Sequence, residues 1–218
     1  MTTAALLLLS ACGNQVAITL HDHSAAAAVL TAGVDPDTVE RTRRRRAAPA
    51  AGVTIDATLW DGALVAAGIE RSRTRGEDEA TLSERRARWV AEYLTKRTSF
   101  TVVIELANRP AAGEDDPLAS PEAWHFVLDR GESRGLAPQS VRLQAVDRFP
   151  TDGGGSHVRL GFAVVFADVA WAASSAAASK LRLRVQGDPL QAGLSRRELG
   201  PWIASHGAGL SWWVSPAG

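Results

Sequence analysis

The chain has 218 residues, of which 24 are Lys or Arg and 24 are Asp or Glu, so its formal net charge is zero. This balance argues against a general affinity for nucleic acid, which requires an excess of basic charge. The length suffices for a sizeable core in one domain or two small ones, and the single cysteine excludes an internal disulfide.

The chain opens with an apolar run, Ala4 to Leu9, followed by small residues and then by Cys12. A secretory signal has this order, with small residues at the cleavage point. The sequence Leu9-Ser10-Ala11-Cys12 resembles the lipobox of bacterial lipoproteins. The resemblance implies that residues 1–11 are a signal peptide and that Cys12 carries lipid on its sulfur and amine. An N-terminal strand that buries Cys12 as a small core residue is the alternative.

The lipobox resemblance also implies a location. The protein is expected at the cell envelope, anchored to a bacterial membrane through lipidated Cys12 and facing the periplasm or the cell exterior. A transmembrane helix is not expected, because a span needs about 20 apolar residues and no such run occurs in the chain.

Residues 12–51 are predicted to form a tether or, in part, a loosely held helix. They are rich in alanine, contain Pro36 and Pro49, and show no apolar period. The basic run from Arg41 to Arg46 is typical of a solvated linker, with binding to anionic lipid as the alternative. The folded domain is predicted over residues 52–218.

Two helices are predicted early in this domain. Residues 63–69 are apolar and follow Asp61-Gly62. Thr81-Leu82-Ser83-Glu84 fits the capping box, with Thr81 as the N-cap, and apolar side chains follow at helical spacing. The second helix is therefore predicted over about residues 82–97.

The remaining apolar residues alternate with a period of two, which indicates strands. Each predicted strand has one apolar face. The faces are Val53-Ile55-Ala57-Leu59, Phe100-Val102-Ile104-Leu106, Trp124-Phe126-Leu128, Val141-Leu143-Ala145, Val158-Leu160-Phe162-Val164-Phe166, Leu181-Leu183-Val185 and Leu210-Trp212-Val214. Turn residues separate these strands, so we predict a mainly β fold, an antiparallel immunoglobulin-like sandwich with one or two accessory helices.

Three sequence patterns suggest catalysis or metal binding. Residues 131–135, Gly-Glu-Ser-Arg-Gly, match the G-x-S-x-G nucleophile elbow, but Pro138 argues against the helix that this motif requires, so a loop is predicted. Ser156 and His157 lie near Asp152 beside three glycines, which favours a turn. His21-Asp22-His23 has no second cluster to complete a metal site. No catalytic residue, metal or cofactor is therefore predicted.

The tryptophans provide the candidate binding residues. Adjacent residues of a strand point to opposite faces, so Trp212 is predicted in the core and Trp213 on the outer face, either covered or exposed as a contact. Trp202 lies in a loop context. Arg182 and Arg184 are predicted to point outward, together with Arg142 and Arg159, on a face that is either cationic or simply solvated.

We therefore expect a non-enzymatic binding or assembly module whose partner is an envelope protein or a glycan. The first alternative is a glycan- or lipid-binding lipoprotein that uses Trp213, Trp202, Arg182 and Arg184. The second alternative is a serine hydrolase. Nucleic acid is not an expected partner.

Overall fold

We describe a computed structural model of the chain over residues 18–19, 35–50, 52–95, 97–110, 123–131, 133–152, 155–167, 179–187 and 208–215. In chain order the strands are β1 (Ile18–Thr19), β2 (Arg44–Ala50), β3 (Val53–Leu59), β4 (Arg97–Pro110), β5 (Trp124–Arg130), β6 (Ser133–Leu136), β7 (Ser140–Pro150), β8 (Gly155–Ala167), β9 (Ser179–Gly187) and β10 (Ala208–Ser215). The helices are α1 (Pro36–Arg43), α2 (Gly62–Thr74) and α3 (Glu79–Trp89), and α3 continues as a π-helical turn (Val90–Leu94).

The described strands form two five-stranded sheets. The first sheet has the order β1-β10-β9-β5-β6, and the second has the order β2-β3-β4-β8-β7. All pairings are antiparallel except that of β1 with β10. This confirms the predicted mainly β, antiparallel sandwich with accessory helices. Its immunoglobulin-like character remains a prediction.

The core lies between the two sheets, because each sheet turns its alternating apolar residues toward the other. Aromatic side chains make the contacts across this layer. Phe100 of β4 lies 5.2 Å from Trp212 of β10, and Phe126 of β5 lies 5.4 Å from Phe162 of β8, measured between ring centroids. All the predicted apolar faces contribute to this core, and β7 contributes only Leu143, which is partly buried against it.

The prediction of a tether over residues 12–51 is wrong from Pro36 onward, because helix α1 and strand β2 belong to the folded domain. Asp35 caps α1 by accepting a hydrogen bond from the Thr38 amide at 3.1 Å, and Pro36 occupies the first turn. Val39 packs against residues of α2, and β2 pairs with β3. The arginines conceal the strand pattern in the sequence, because long basic side chains occupy both of its faces.

Helix α3 begins earlier than predicted. Its N-cap is Asp78, whose carboxylate accepts hydrogen bonds from the Thr81 amide at 2.9 Å and from the Thr81 hydroxyl at 2.7 Å. Thr81 therefore lies in the first turn, because an Asp three residues earlier supplies the capping oxygen. The predicted end at residue 97 is also wrong, since the helix gives way to the π-helical turn and β4 begins at Arg97.

Strand β7 departs from the predicted alternation. Leu143 lies opposite Phe162, whereas Ala145 lies opposite the neighbouring residue Gly161, so Gln144 is an extra residue in a β-bulge. Val141 and Leu143 share a face as predicted, but the bulge moves Ala145 to the other face. Most of this strand is exposed.

Candidate functional site

The outer face of the first sheet collects polar and aromatic side chains from β5, β9 and β10. The cross-strand pairs Trp213–Lys180, Ser211–Arg182 and Gly209–Arg184 run along β10 and β9. Asp129, Val127 and His125 of β5 lie opposite Arg182, Arg184 and Gln186. Because side chains of paired residues point the same way, these residues form one surface, which we call the Trp213 face.

Trp213 is the largest apolar side chain on this face and is 40% exposed. Its neighbour Trp212 points the other way and is fully buried in the core. The buried ring holds β10 in place, and its indole N–H donates a hydrogen bond to the Arg43 carbonyl oxygen at 2.7 Å. An indole ring that is partly exposed to solvent on a strand is typical of a residue that contacts a binding partner.

Arg184 and Asp129 form a bidentate ion pair on this face. The Nε and Nη2 atoms of Arg184 donate to the two carboxylate oxygens of Asp129 at 2.9 and 3.1 Å. The Gly135 amide also donates to Asp129, at 2.9 Å. Partial burial raises the pKa of this carboxyl, but the hydrogen bonds and the charges of Arg184 and Arg182 outweigh that effect, so the pKa lies below its ordinary value.

Arg182 lies across the exposed backbone of Gly209. A Cβ atom added at Gly209 would lie 2.5 Å from both Nε and Nη2 of Arg182. The absence of a side chain at this position therefore allows the guanidinium to lie flat on β10. The Arg182 guanidinium therefore lies over the Gly209 side of Ser211, whereas Lys180 is the residue opposite Trp213.

The Trp213 face is cationic over the described residues. Lys180, Arg182 and Arg184 contribute three basic groups, and Asp129 is the one carboxylate among them. Arg184 pairs with Asp129, which leaves Lys180, opposite Trp213, and Arg182, opposite Ser211, as the exposed charges of this face. Together they offer an aromatic ring and two cations to a ligand, an arrangement that attracts anions.

The structure brings together three of the predicted binding residues, Trp213, Arg182 and Arg184. Trp202 lies outside the described residues, as do Cys12 and the other lipobox positions. Arg142 and Arg159 lie on the second sheet, so the four predicted arginines do not form one face. Sequence reasoning missed Lys180, Asp129 and Gly209, although the alternation of β9 places Lys180 on the same side as Arg182.

The basic run from Arg41 to Arg46 serves the fold and is not a solvated linker. Arg43 donates to Asp61 at 2.8 Å, and Arg44 donates to Asp56 at 3.1 Å. Arg46 lies within 4 Å of Asp56 and of Glu105. These carboxylates hold three arginines of the run against the domain.

The catalytic patterns are not arranged for the chemistry that they suggested. The Gly-Glu-Ser-Arg-Gly segment lies in the hairpin between β5 and β6, so a strand follows the serine where a nucleophile elbow needs a helix. Asp152 lies in the turn that leads into β8, which carries Ser156 and His157. The described residues contain no group of three or more His, Cys, Asp or Glu that is placed to hold a metal, and His21-Asp22-His23 lies outside them.

Comparisons of the chain with protein-family models, with curated proteins and with solved structures find no match. Among the described helices, none has the length and apolar character that crossing a bilayer requires.

Proposed function

We propose that the protein is a non-enzymatic binding module of a bacterial cell envelope. Lipid on Cys12 anchors it to a membrane, and the Trp213 face binds an anionic glycan on the periplasmic or outer side of that membrane. The observation that carries the binding proposal is the exposed Trp213 ring beside Lys180, with Arg182 farther along the same sheet face.

The chemistry of this face favours a glycan with acidic groups. A sugar ring has an apolar face that packs on an indole, which gains contact area without the loss of much side-chain freedom. Carboxylate or phosphate groups on the same polymer would pair with Arg182 in a bidentate manner and with Lys180 as a point charge. A neutral polymer would leave both cations without a partner, so acidic glycans should bind more tightly.

The proposal is tested by isothermal titration calorimetry of the purified full-length chain in detergent, with polygalacturonate as the anionic probe and dextran as the neutral one. Polygalacturonate should bind and dextran should not. Trp213→Ala should weaken binding by about tenfold, and Lys180→Ala combined with Arg182→Ala by at least as much. Added salt should weaken binding further, because the attraction is between exposed charges.

Matched controls come from the second sheet. Phe149→Ala removes an aromatic residue of comparable exposure, and Arg159→Ala removes an exposed guanidinium. Both should bind polygalacturonate like the unsubstituted chain. Equal loss in the controls, equal binding of dextran, or binding to phosphatidylglycerol vesicles in place of polygalacturonate would each overturn the glycan proposal.

Gly209→Ala offers a finer test of Arg182. The added methyl group would displace the guanidinium from β10 without changing the net charge of the protein. Binding of polygalacturonate should therefore weaken severalfold while the salt dependence stays the same. Unchanged affinity would show that the position of Arg182 is unimportant for binding.

The anchor is tested separately from the binding face. Cells that express the chain are labelled with an alkyne fatty acid and then fractionated. The unsubstituted chain should carry the label and sediment with membranes, whereas Cys12→Ser should lose the label and appear in the soluble fraction. A Cys12→Ser variant that remains acylated would overturn the anchor and leave the glycan proposal intact.

A further inference from the structure

Strand β7 is a long, exposed edge of the second sheet. It has 11 residues, and among the described strands it pairs only with β8. Three apolar side chains on it are exposed to unusual extents: Val141 is 37%, Val146 is 42% and Phe149 is 50% exposed. An edge of this length with apolar side chains is a template for pairing with another strand.

The inner face of β7 is only partly covered, unlike the inner faces of its neighbours in the second sheet. Val141 and Val146 lie opposite Val164 and Leu160 of β8, which are fully buried. The first sheet ends at β6, which has only four residues, so the described part of that sheet does not bury these valines. On this inner face Leu143 packs against the core, whereas Val141 and Val146 remain exposed to solvent.

The outer face of the second sheet carries a row of alternating charges that ends on β7. Arg46 of β2 lies 3.7 Å from Glu105 of β4, and Glu105 lies 4.0 Å from Arg159 of β8. Arg159 is in turn opposite Asp147 of β7. Asp147 is exposed and makes no ion pair with the described residues, so the row stops at an acidic group on an open edge.

The same edge carries the basic group that would extend this row. Arg142 contacts Glu92, yet 62% of its side chain remains exposed. Residues five apart on a regular strand point to opposite faces, but the bulge at Gln144 places Arg142 and Asp147 on the same one. When two copies of this edge are related by a two-fold axis, the basic Arg142 of each copy can therefore face the acidic Asp147 of the other.

We propose that β7 pairs with β7 of a second copy of this chain, antiparallel across a two-fold axis near Gln144. In this register Arg142 lies opposite Asp147 of the partner subunit, and Asp147 lies opposite Arg142 of the partner subunit. Leu143 lies opposite Val146 of the partner subunit on the inner face. The two second sheets become one continuous sheet, and the interface is isologous. This inference is independent of the lipid anchor and of the glycan.

The test is sedimentation velocity of the purified full-length chain in detergent, with reductant present to prevent a disulfide between the Cys12 residues of two copies. The unsubstituted chain should be a dimer at micromolar concentration. Arg142→Asp and Asp147→Arg should each be monomeric at about 30 times that concentration, because like charges then face each other. An equimolar mixture of the two variants should form heterodimers, since every facing pair is again of opposite sign.

Controls distinguish this interface from a general effect of charge. Arg182→Asp on the Trp213 face should leave the dimer intact, and all variants should keep the circular dichroism spectrum of the unsubstituted chain below their unfolding transitions. A monomeric unsubstituted chain would overturn the proposal. This is the result expected if another part of the same chain covers β7. A dimer that survives both charge reversals, or a mixture that stays monomeric, would also overturn it.

Discussion

The indole N–H of Trp212 donates a hydrogen bond to the backbone carbonyl of Arg43 at 2.7 Å. Trp212 lies in the first sheet, and Arg43 is the last residue of α1, immediately before the second sheet begins at β2. The guanidinium of Arg43 also binds Asp61, the N-cap of α2. Arg43 therefore joins a buried strand, a helix start and the edge of the opposite sheet.

Replacing Trp212 by Phe should destabilise the fold by about 2–4 kcal/mol. The change leaves the Arg43 carbonyl without its donor and opens a cavity in the core. Urea denaturation followed by circular dichroism measures the free energy of unfolding. Trp213→Phe is the matched control and should change this free energy by less than about 0.5 kcal/mol, because Trp213 lies on the surface. Equal losses would contradict the role assigned to Trp212.

Replacing Asp61 by Asn removes the negative charge of this side chain but keeps the oxygen that caps α2. Asn still accepts the hydrogen bond from the Leu64 amide, but the Arg43 guanidinium, which is only 11% exposed, loses its counter-ion. The free energy of unfolding should fall by about 3 kcal/mol, as is typical when one partner of a buried ion pair is removed.

Asp78→Asn serves as the control for Asp61→Asn, because Asp78 caps α3 in the same way but is exposed. Its denaturation midpoint should stay close to that of the unsubstituted chain. A similar loss in both variants would mean that the cap, and not the ion pair with Arg43, accounts for the effect.

Gly68 lies on α2 where the ring of Trp89 crosses the helix. A Cβ atom at this position would lie 2.7 Å from Cζ3 and 3.2 Å from Cη2 of that ring. The ring has little room to move, since it packs edge-on against Trp60, which in turn stacks on Tyr93 at 4.2 Å. Gly68→Ala should therefore lower the free energy of unfolding by about 1 kcal/mol, despite the higher helix propensity of alanine.

If the clash with the Trp89 ring causes the loss of stability, Gly68→Ala should have the opposite effect on the free energy of unfolding in a chain that lacks this ring. In a Trp89→Ala chain the ring is absent, so Gly68→Ala should raise the free energy of unfolding by about 0.5–1 kcal/mol through helix propensity alone. Thermal and urea unfolding of the four chains would establish the coupling. Additive effects would argue against a contact between these positions.

Asp129 should make stability depend on pH. Partial burial raises its pKa, but hydrogen bonds from Arg184 and the Gly135 amide and the charges of Arg184 and Arg182 outweigh this effect. The pKa in the fold therefore lies below the ordinary value of 3.8. Because the folded pKa is depressed, the stabilisation is present above about pH 4 and is lost as the pH falls from there through the folded pKa. The stability difference between the unsubstituted chain and Asp129→Asn should therefore shrink across that window.

The measurement is urea unfolding of both chains at neutral pH and at steps below about pH 4. The groups that face this carboxyl are Arg184 and Arg182 of β9 and the Gly135 amide. Asp152→Asn is the control, because Asp152 is exposed in the turn before β8 and makes no ion pair with the described residues. Its pH profile should follow that of the unsubstituted chain, and a profile for Asp129→Asn that also follows it would contradict the prediction.

Much of the fold was predictable because side-chain alternation is a local property. The strands that carry Phe100, Phe126, Phe162, Leu183 and Trp212 toward the core all follow it. The predictions were wrong where a distant partner decides the conformation. Strand β2 pairs with β3, and its arginines, which resemble a linker in the sequence, face carboxylates on β3 and β4. The bulge of β7 is a feature of its register with β8.

The sequence by itself determined that Trp212 and Trp213 point to opposite faces and that Arg182 and Arg184 point to the same one, because adjacent and alternate residues of a strand have fixed relative directions. Only the tertiary structure decided which strands share a sheet. In the tertiary structure Lys180 lies beside Trp213, Arg184 pairs with Asp129, and Arg182 lies over Gly209. Arg142 and Arg159 lie on the other sheet. These placements depend on register between strands far apart in the chain, which packing of the two apolar faces sets and no local pattern records.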